Sequence, residues 1–322
     1  MNEVPESFIR VSAEDLLEFA GNVLLEIGVP PDQANMLSDA LVAGDLRGVF
    51  SHGTQQLGSY IPLLTEGKLN TSPKPAVVSE SESSITVDGD GGLGYFAGFL
   101  AIEMAIEKAR SSGMAVATTS NHGHFGSAGH YTRKAVQADC FGLAVSSHYR
   151  EFNPETSILS ASGASPISMG VPAAHAPPLI IDMASGGDRA AEFFEEIPAT
   201  YFKMLGFGLM SHALGGILSG MVAREAAGPR KWEGVNQGAF FMVVDIGRLT
   251  DVESYKCQMD EFINSLRAMT PPPGYDHAAT PGGLEFERET TWRTAGIPIG
   301  EGHMAILEKV ADGLGCALPW AR

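Results

Sequence analysis

Basic side chains are scarce: 21 Lys and Arg stand against 38 Asp and Glu, a formal net charge of −17. That balance repels phosphodiesters and anionic headgroups and speaks against nucleic acid or an anionic membrane as partner. Cysteine is scarcer. Cys140, Cys257 and Cys316 lie far apart, without a CxxC pair or metal-ligand spacing, so a reducing compartment and no metal site are expected. No apolar run approaches the length of a transmembrane helix, and Met1-Asn2-Glu3-Val4-Pro5-Glu6 has no basic region followed by an apolar one. The expectation is a soluble, cytoplasmic protein. Internal repeats and low-complexity tracts are missing as well.

What the chain has is apolar mass and a few dense polar motifs. Its 322 residues, 44% of them hydrophobic, can bury a large core, in two domains or in one with a large insertion. The densest polar cluster is His122-Gly123-His124-Phe125-Gly126-Ser127-Ala128-Gly129-His130-Tyr131. It follows the apolar run Met114-Ala115-Val116-Ala117, a buried strand by its pattern, and leads into a helix over 130–138. Glycines at such a junction admit unusual backbone angles and close approach of a ligand, and the first helix amides would face it. Imidazole is the side chain best suited to proton transfer near neutral pH. The plainer alternative is a loop whose histidines cap and hydrogen-bond.

Ser12 with Glu14 and Asp15 reads as a helix start, Gly28 and Pro30-Pro31 as its end, and Asp32 as the opening of a second helix. The segment from Asp45 to Tyr60 then breaks the amphipathic pattern with Arg47-Gly48-Val49-Phe50-Ser51-His52-Gly53, a reactive pair or a capped helix junction. After the alternating strand 84–88, Gly89-Asp90-Gly91-Gly92-Leu93-Gly94 matches GxGxxG literally before a helix over 95–110. The strand that follows ends near Thr119-Ser120 without an acidic residue for a ribose, so a glycine-rich helix entry is expected and a dinucleotide cradle is not. Further strands are expected over 141–146, 177–183 and 239–245, and helices over 207–222, 252–269 and 305–313. Strands and helices in this irregular order indicate α/β or α+β architecture and not regular βαβ winding.

Taken together, these stretches resemble the malate/L-lactate dehydrogenase family of the non-Rossmann type, which also contains ureidoglycolate, sulfolactate, diketogulonate and cyclic-imino-acid oxidoreductases. The resemblance runs over nearly the whole chain: Arg47-Gly48-Val49 with Ser51-His52-Gly53, Asp88-Gly89-Asp90-Gly91-Gly92, His124 to Tyr131, Ile181-Asp182-Met183-Ala184-Ser185, Pro273-Gly274-Tyr275 with Pro281-Gly282, and Gly296-Ile297-Pro298. It implies a helical domain over 1–75 to which 270–322 returns, and a central α/β domain over 76–269 that binds NAD or NADP without the usual fingerprint. It also implies a homodimer, an active site between the domains, and a small-molecule substrate to or from which a hydride passes. On this resemblance His124 is the acid/base residue, with Ser51 and His52 beside the substrate. Gln56, Tyr60 and Arg47 line the substrate pocket, and Ser127, Asp182, Met183, Ala184, Gly282 and Gly283 contact the cofactor.

The departures bear on function. The family usually carries an arginine shortly after Ser-His-Gly, suited to clamp a carboxylate; here that position is Gln56. Gly283-Leu284 replaces a usual Glu-Arg, Ala164-Ser165-Pro166 replaces Thr-Asn-Pro, and the stretch from Asp182 to Phe207 is short. These losses suit an oxidoreductase for a carbonyl, hydroxyl or imine substrate with an atypical pocket. They leave open a non-redox cyclase, isomerase or lyase that keeps the histidines and binds no NAD(P), or a catalytically silent scaffold. Poor turnover of malate and lactate is expected, unless Arg47 or Arg150 supplies the missing cation.

Overall fold

The structure is a computed structural model describing residues 3–162, 165–184, 190–221 and 230–321. Its elements begin β1 (Phe8–Val11), α1 (Ala13–Glu26), α2 (Pro31–Leu46), α3 (Leu57–Thr65), β2 (Ala76–Glu80), β3 (Ser84–Asp88) and α4 (Gly94–Ser112). They continue through β4 (Met114–His122), α5 (Gly129–Gln137), β5 (Cys140–His148), β6 (Pro166–Val171), β7 (Leu179–Ala184), α6 (Ala190–Glu196) and α7 (Pro198–His212). Then follow β8 (Gln237–Asp245), α8 (Val252–Arg267), α9 (Gly283–Ala295), β9 (Ile297–Gly300) and α10 (Glu301–Leu314). The chain divides into two compact units, Met1–Ser72 with Gly283–Arg322, and Pro73–Gly282.

The first unit joins both chain ends. Ser12 caps α1 by accepting from the Asp15 amide at 3.0 Å, and Leu16, Phe19, Ala20, Val23 and Leu24 form its buried stripe. β1 and β9 pair antiparallel, with Phe8 opposite Gly300 and Val11 opposite Ile297. Residues 270–282, expected with the C-terminal segment, group with the second unit instead.

The second unit is built on a sheet whose described strands run β2-β3-β4-β8-β5-β6-β7. Only β3 and β4 are parallel, joined through α4; every other pairing is antiparallel. This is why the glycine run mimics a dinucleotide motif: it lies in a true βαβ turn, but the sheet around that turn is not doubly wound. α4 and α5 cover one face, where Tyr131 stacks on Phe125 at 4.9 Å and meets Phe241 at 5.0 Å and Phe99 at 5.2 Å. On the other face Val145, Ile167 and Phe240 pack with Leu214 and Met183. The adjacent Phe240 and Phe241 thus serve opposite cores, as the strand period of two requires.

The helix expected over 207–222 begins earlier, as α7, and passes after His212 into a π-turn over Ala213–Leu218; Val222 lies outside the described residues. The wide turn lets the backbone press on β5, for a Cβ on Gly215 would come within 2.8 Å of Ser146 Cα. Among the described residues no helix is long and apolar enough to cross a membrane.

Candidate active site

In the second unit, the β3–α4 turn and the loop after β4 are laced together. The amides of Gly89, Gly91 and Gly94 donate to the carbonyls of Ser120, Asn121 and His124, each at 2.9 Å. Gly123 donates to the Gly92 carbonyl at 2.9 Å, and Gly92 to that of Gly89 at 3.1 Å. Asp88 ties the two segments from the side. It accepts from the Asn121 side chain at 2.9 and 3.0 Å and from the Asp90 amide at 2.8 Å. Gly91 is left-handed at φ +75, and a Cβ there would lie 1.9 Å from Trp232. The glycine amides therefore serve the protein and do not form a phosphate cradle.

The three histidines of this loop have separate fates. His122 is fully buried: its Nδ1 donates to the Gly123 carbonyl at 2.7 Å, and its Nε2 lies 2.9 Å from Thr119 Oγ1. Burial pushes its pKa down to about 4, so it is neutral at physiological pH and braces the loop. His130 is 7% exposed and packs on Tyr95, with ring centroids 6.0 Å apart. His124 alone of the three is half-buried, its carbonyl anchored by α4 and its neighbour Phe125 buried in the aromatic stack.

The cofactor candidates of this unit sort as sharply. Ser127 Oγ donates to Asp182 Oδ2 at 2.5 Å, so two residues far apart in sequence meet at the start of α5. Asp182 is exposed and Ser127 is 8% exposed. A carboxylate beside a hydroxyl is the acceptor–donor pair that a ribose diol takes, so these residues fit a nucleotide cofactor. Met183 turns into the core, whereas Ala184 is exposed at the end of β7. Gly282 is left-handed at φ +84 and a Cβ there would crowd Ile180 and the Pro178 carbonyl at 3.1 Å, so a side chain is excluded where Pro281 bonds to β7. Gly283, also a cofactor candidate, belongs to the first unit, where it is buried at the start of α9.

In the first unit, Ser51 and His52 occupy a 3-10 turn, with Ser51 Oγ 3.0 Å from His52 Nδ1. Gln56 Nε2 donates to the Ser51 carbonyl at 2.5 Å and so steadies the same turn. Arg47 is engaged elsewhere: its Nε lies 2.8 Å from Glu289 Oε2, and Arg293 holds the other oxygen of that carboxylate at 2.6 Å. Despite its own burial, Glu289 is held below the usual carboxylate range by these two arginines and their hydrogen bonds. Tyr60 is 1% exposed within α3.

Beneath this turn is a buried chain of polar groups that the motif reading missed. Asp45 Oδ2 accepts from the Thr54 amide at 2.9 Å and from its hydroxyl at 2.6 Å, and the same hydroxyl lies 2.9 Å from His303 Nε2. Asp45 is 0% and His303 7% exposed. Burial raises the Asp45 carboxyl to about 7, although both Thr54 hydrogen bonds pull the other way, and burial lowers His303 to about 4. Asp45 Oδ1 and His303 Nδ1 have no hydrogen-bond partner among the described residues. A Cβ on Gly53 would fall 1.7 Å from Asp45 Oδ1, which explains the glycine after Ser51-His52. Asp45 and Thr54 flank the motif in sequence, but His303 comes from α10, and no local signal points to it.

The family model described as malate/L-lactate dehydrogenase matches residues 11–187 and 190–308. A malate dehydrogenase of Pyrococcus horikoshii is 29% identical, the alignment covering 97% of each chain. The solved malate dehydrogenase structure from P. horikoshii OT3 superposes with a TM-score of 0.85 at 29% identity, over 98% of this chain and 99% of that one. A ureidoglycolate dehydrogenase (NAD(+)) of Escherichia coli O157:H7 is 23% identical, with 90% of this chain and 93% of that protein covered. A mostly antiparallel sheet whose described strands hold a single βαβ turn, with a histidine in the loop after β4, is thus the frame of a dehydrogenase that uses NAD(P) without a Rossmann domain. The chain belongs to the malate/L-lactate dehydrogenase family. The same kinship favours an oxidoreductase over the non-redox alternative.

Proposed function

We propose that this enzyme oxidises a small 2-hydroxy acid, or reduces the matching 2-keto acid or imine, with His124 as its acid/base residue. The exposure of the three loop histidines carries this reading: His122 and His130 are buried, and His124 is half-buried on a loop that α4 and Asp88 hold in place. His124 takes the hydroxyl proton on oxidation and returns it on reduction. When bound, the nicotinamide takes up or supplies the hydride. Asp182 and Ser127 hold the cofactor's sugar hydroxyls, Ala184, Gly282 and Gly283 border it, and Met183 backs the strand. Ser51 and His52 contact the substrate, with Gln56, Tyr60 and Arg47 shaping their surroundings. Malate and ureidoglycolate, named for the relatives, set the class of acid; Gln56 argues for a substrate other than malate or lactate.

The enzyme acts in this reading as a cytoplasmic homodimer. Phe202, Met210, Ile217 and Leu218, along α7 and its π-turn, are between 56% and 67% exposed, an apolar surface suited to a second copy. Sedimentation velocity at micromolar concentration should show a dimer; a monomer alone would refute it. For the chemistry, saturating NADH or NADPH should raise the melting temperature. His124→Asn should bind the cofactor and keep its fold while losing about 100-fold to 10,000-fold in turnover. Near-full activity in His124→Asn with total loss in His52→Asn would move the proton to His52.

A further inference from the structure

The turn that carries Ser51 and His52 is tied at both ends to adjacent residues of α2. At one end the Val49 amide donates to the Gly44 carbonyl at 2.9 Å. At the other the Thr54 amide donates to Asp45 Oδ2, also at 2.9 Å. Between them the His52 amide donates to the Val49 carbonyl at 2.9 Å and the Gly53 amide to that of Phe50 at 3.0 Å. Both ends are tight: a Cβ on Gly44 would stand 3.0 Å from the His52 carbonyl, and one on Gly53 would strike Asp45 Oδ1. Rings hold the turn as well, for Phe50 stacks on Trp292 at 6.0 Å and meets His303 edge-on at 6.1 Å. Asp45, Thr54 and His303, all buried, are the side-chain links that join this turn to α2 and α10.

One hydroxyl proton serves two neighbours in this chain of groups. When Asp45 is charged, Thr54 Oγ1 donates to Oδ2 at 2.6 Å and accepts from His303 Nε2 at 2.9 Å, so the imidazole proton sits on Nε2. When Asp45 takes up a proton from solvent, that proton has Thr54 Oγ1 as acceptor if carried on Oδ2, and none on Oδ1 among the described residues. The hydroxyl then donates to Nε2, and the imidazole proton moves to Nδ1. One proton gained at Asp45 thus reverses the hydroxyl and the His303 tautomer, and both contacts persist. Burial favours the neutral forms: it raises Asp45 to about 7 against the pull of the two Thr54 bonds, and it lowers His303 to about 4. The charged groups of the elements around the turn are engaged elsewhere. Arg47 of α2 and Arg293 share Glu289 on α9, Arg288 lies over the Trp292 ring, and Glu301 at the start of α10 accepts from Ser7.

We infer that Asp45, Thr54 and His303 are positioning residues that fix Ser51 and His52 in one geometry through a shared proton, whose place the His303 tautomer reports. That the fixed pair meets a substrate rests on the dehydrogenase reading; the shared proton does not.

Nitrogen-15 correlation spectra of the full-length protein, labelled at its histidine rings, read both imidazoles without turnover, since protonated and bare ring nitrogens resonate far apart. His303→Gln and His52→Asn identify the two sets of signals. From about pH 5 to about pH 9 the His303 proton should pass from Nδ1 to Nε2. Asp45→Asn cannot take up the proton and should hold the Nε2 form throughout. Thr54→Val removes the hydroxyl at nearly constant shape. It should uncouple the His303 tautomer from pH and shift the His52 signals towards those of an unconstrained imidazole, and Thr54→Ser should restore both. Where Thr54→Val fails to fold, His303→Gln is the second probe of His52 and should shift its signals in the same sense. A His303 tautomer that stays constant with pH in the natural chain, or an Nδ1 form in Asp45→Asn at about pH 5, overturns the shared proton. His52 signals unmoved in both Thr54→Val and His303→Gln overturn the positioning role. NADH and NADPH fluorescence titrations run alongside. A tautomer that follows pH in a protein that binds neither nucleotide supports the shared proton and sinks the dehydrogenase reading; nucleotide binding with a constant tautomer does the reverse.

Discussion

Asp45→Asn should make the protein more stable at alkaline pH than the natural chain. Asp45 is wholly buried, and its carboxyl is raised from 3.8 to about 7. Between these values the folded protein keeps a proton that the unfolded chain has released, so stability falls as pH rises, and the loss is complete above about 7. A rise of about three units at 1.36 kcal/mol each amounts to about 4 kcal/mol. An asparagine oxygen can still accept from the Thr54 amide and hydroxyl, now 2.9 and 2.6 Å from Oδ2, but it does not titrate. The variant's extra amide hydrogens cost about 1–3 kcal/mol at every pH if they stay unsatisfied, so the informative quantity is the change in the difference. Urea unfolding can be followed by fluorescence, with Trp292 of the same unit 6.0 Å from Phe50 beside the motif. From pH 4 to pH 8 the difference between variant and natural chain should move by about 4 kcal/mol in the variant's favour. A difference constant within about 1 kcal/mol would show that Asp45 is ionised at ordinary pH and that the burial argument fails.

His122 behaves in the opposite sense. With a folded pKa of about 4 against 6.5 when exposed, it should cost about 3 kcal/mol of stability as pH falls from 6.5 to 4, and His122→Gln should flatten that part of the acid-unfolding curve. Gln56→Arg, by adding a bidentate carboxylate contact of about 2–3 kcal/mol, should raise kcat/KM for malate by about 30- to 150-fold; no gain in steady-state assays would show that position 56 does not meet the substrate carboxylate.

Much of the fold was legible because local pattern and local structure agree. The Ser12 cap, the α4 helix after its glycines and the strands at 84–88 and 239–245 are short-range features whose signals lie in adjacent residues. β2 and β6 escaped notice. β2 is exposed along its whole length, and β6 begins with a proline and contains a glycine, so neither displays a clear apolar alternation. The glycine run was rightly discounted, but its true partners, the carbonyls of Ser120, Asn121 and His124, depend on β3 and β4 lying side by side.

From residue order alone followed the chemistry on offer: an acidic chain, few thiols, a histidine-rich strand end, a Ser-His pair, and the family these resemble. Tertiary structure decided which of those groups are available. It buried His122 and His130 and left His124 half-buried, tied Arg47 to Glu289, joined Ser127 to Asp182, and set Asp45 over His303 through Thr54. Whether an imidazole titrates or a guanidinium remains for a ligand depends on desolvation and on charges brought close by the fold, often from more than a hundred residues away. Such distances have no image in the linear pattern, so the inventory of groups was written in the sequence and their roles were assigned by packing.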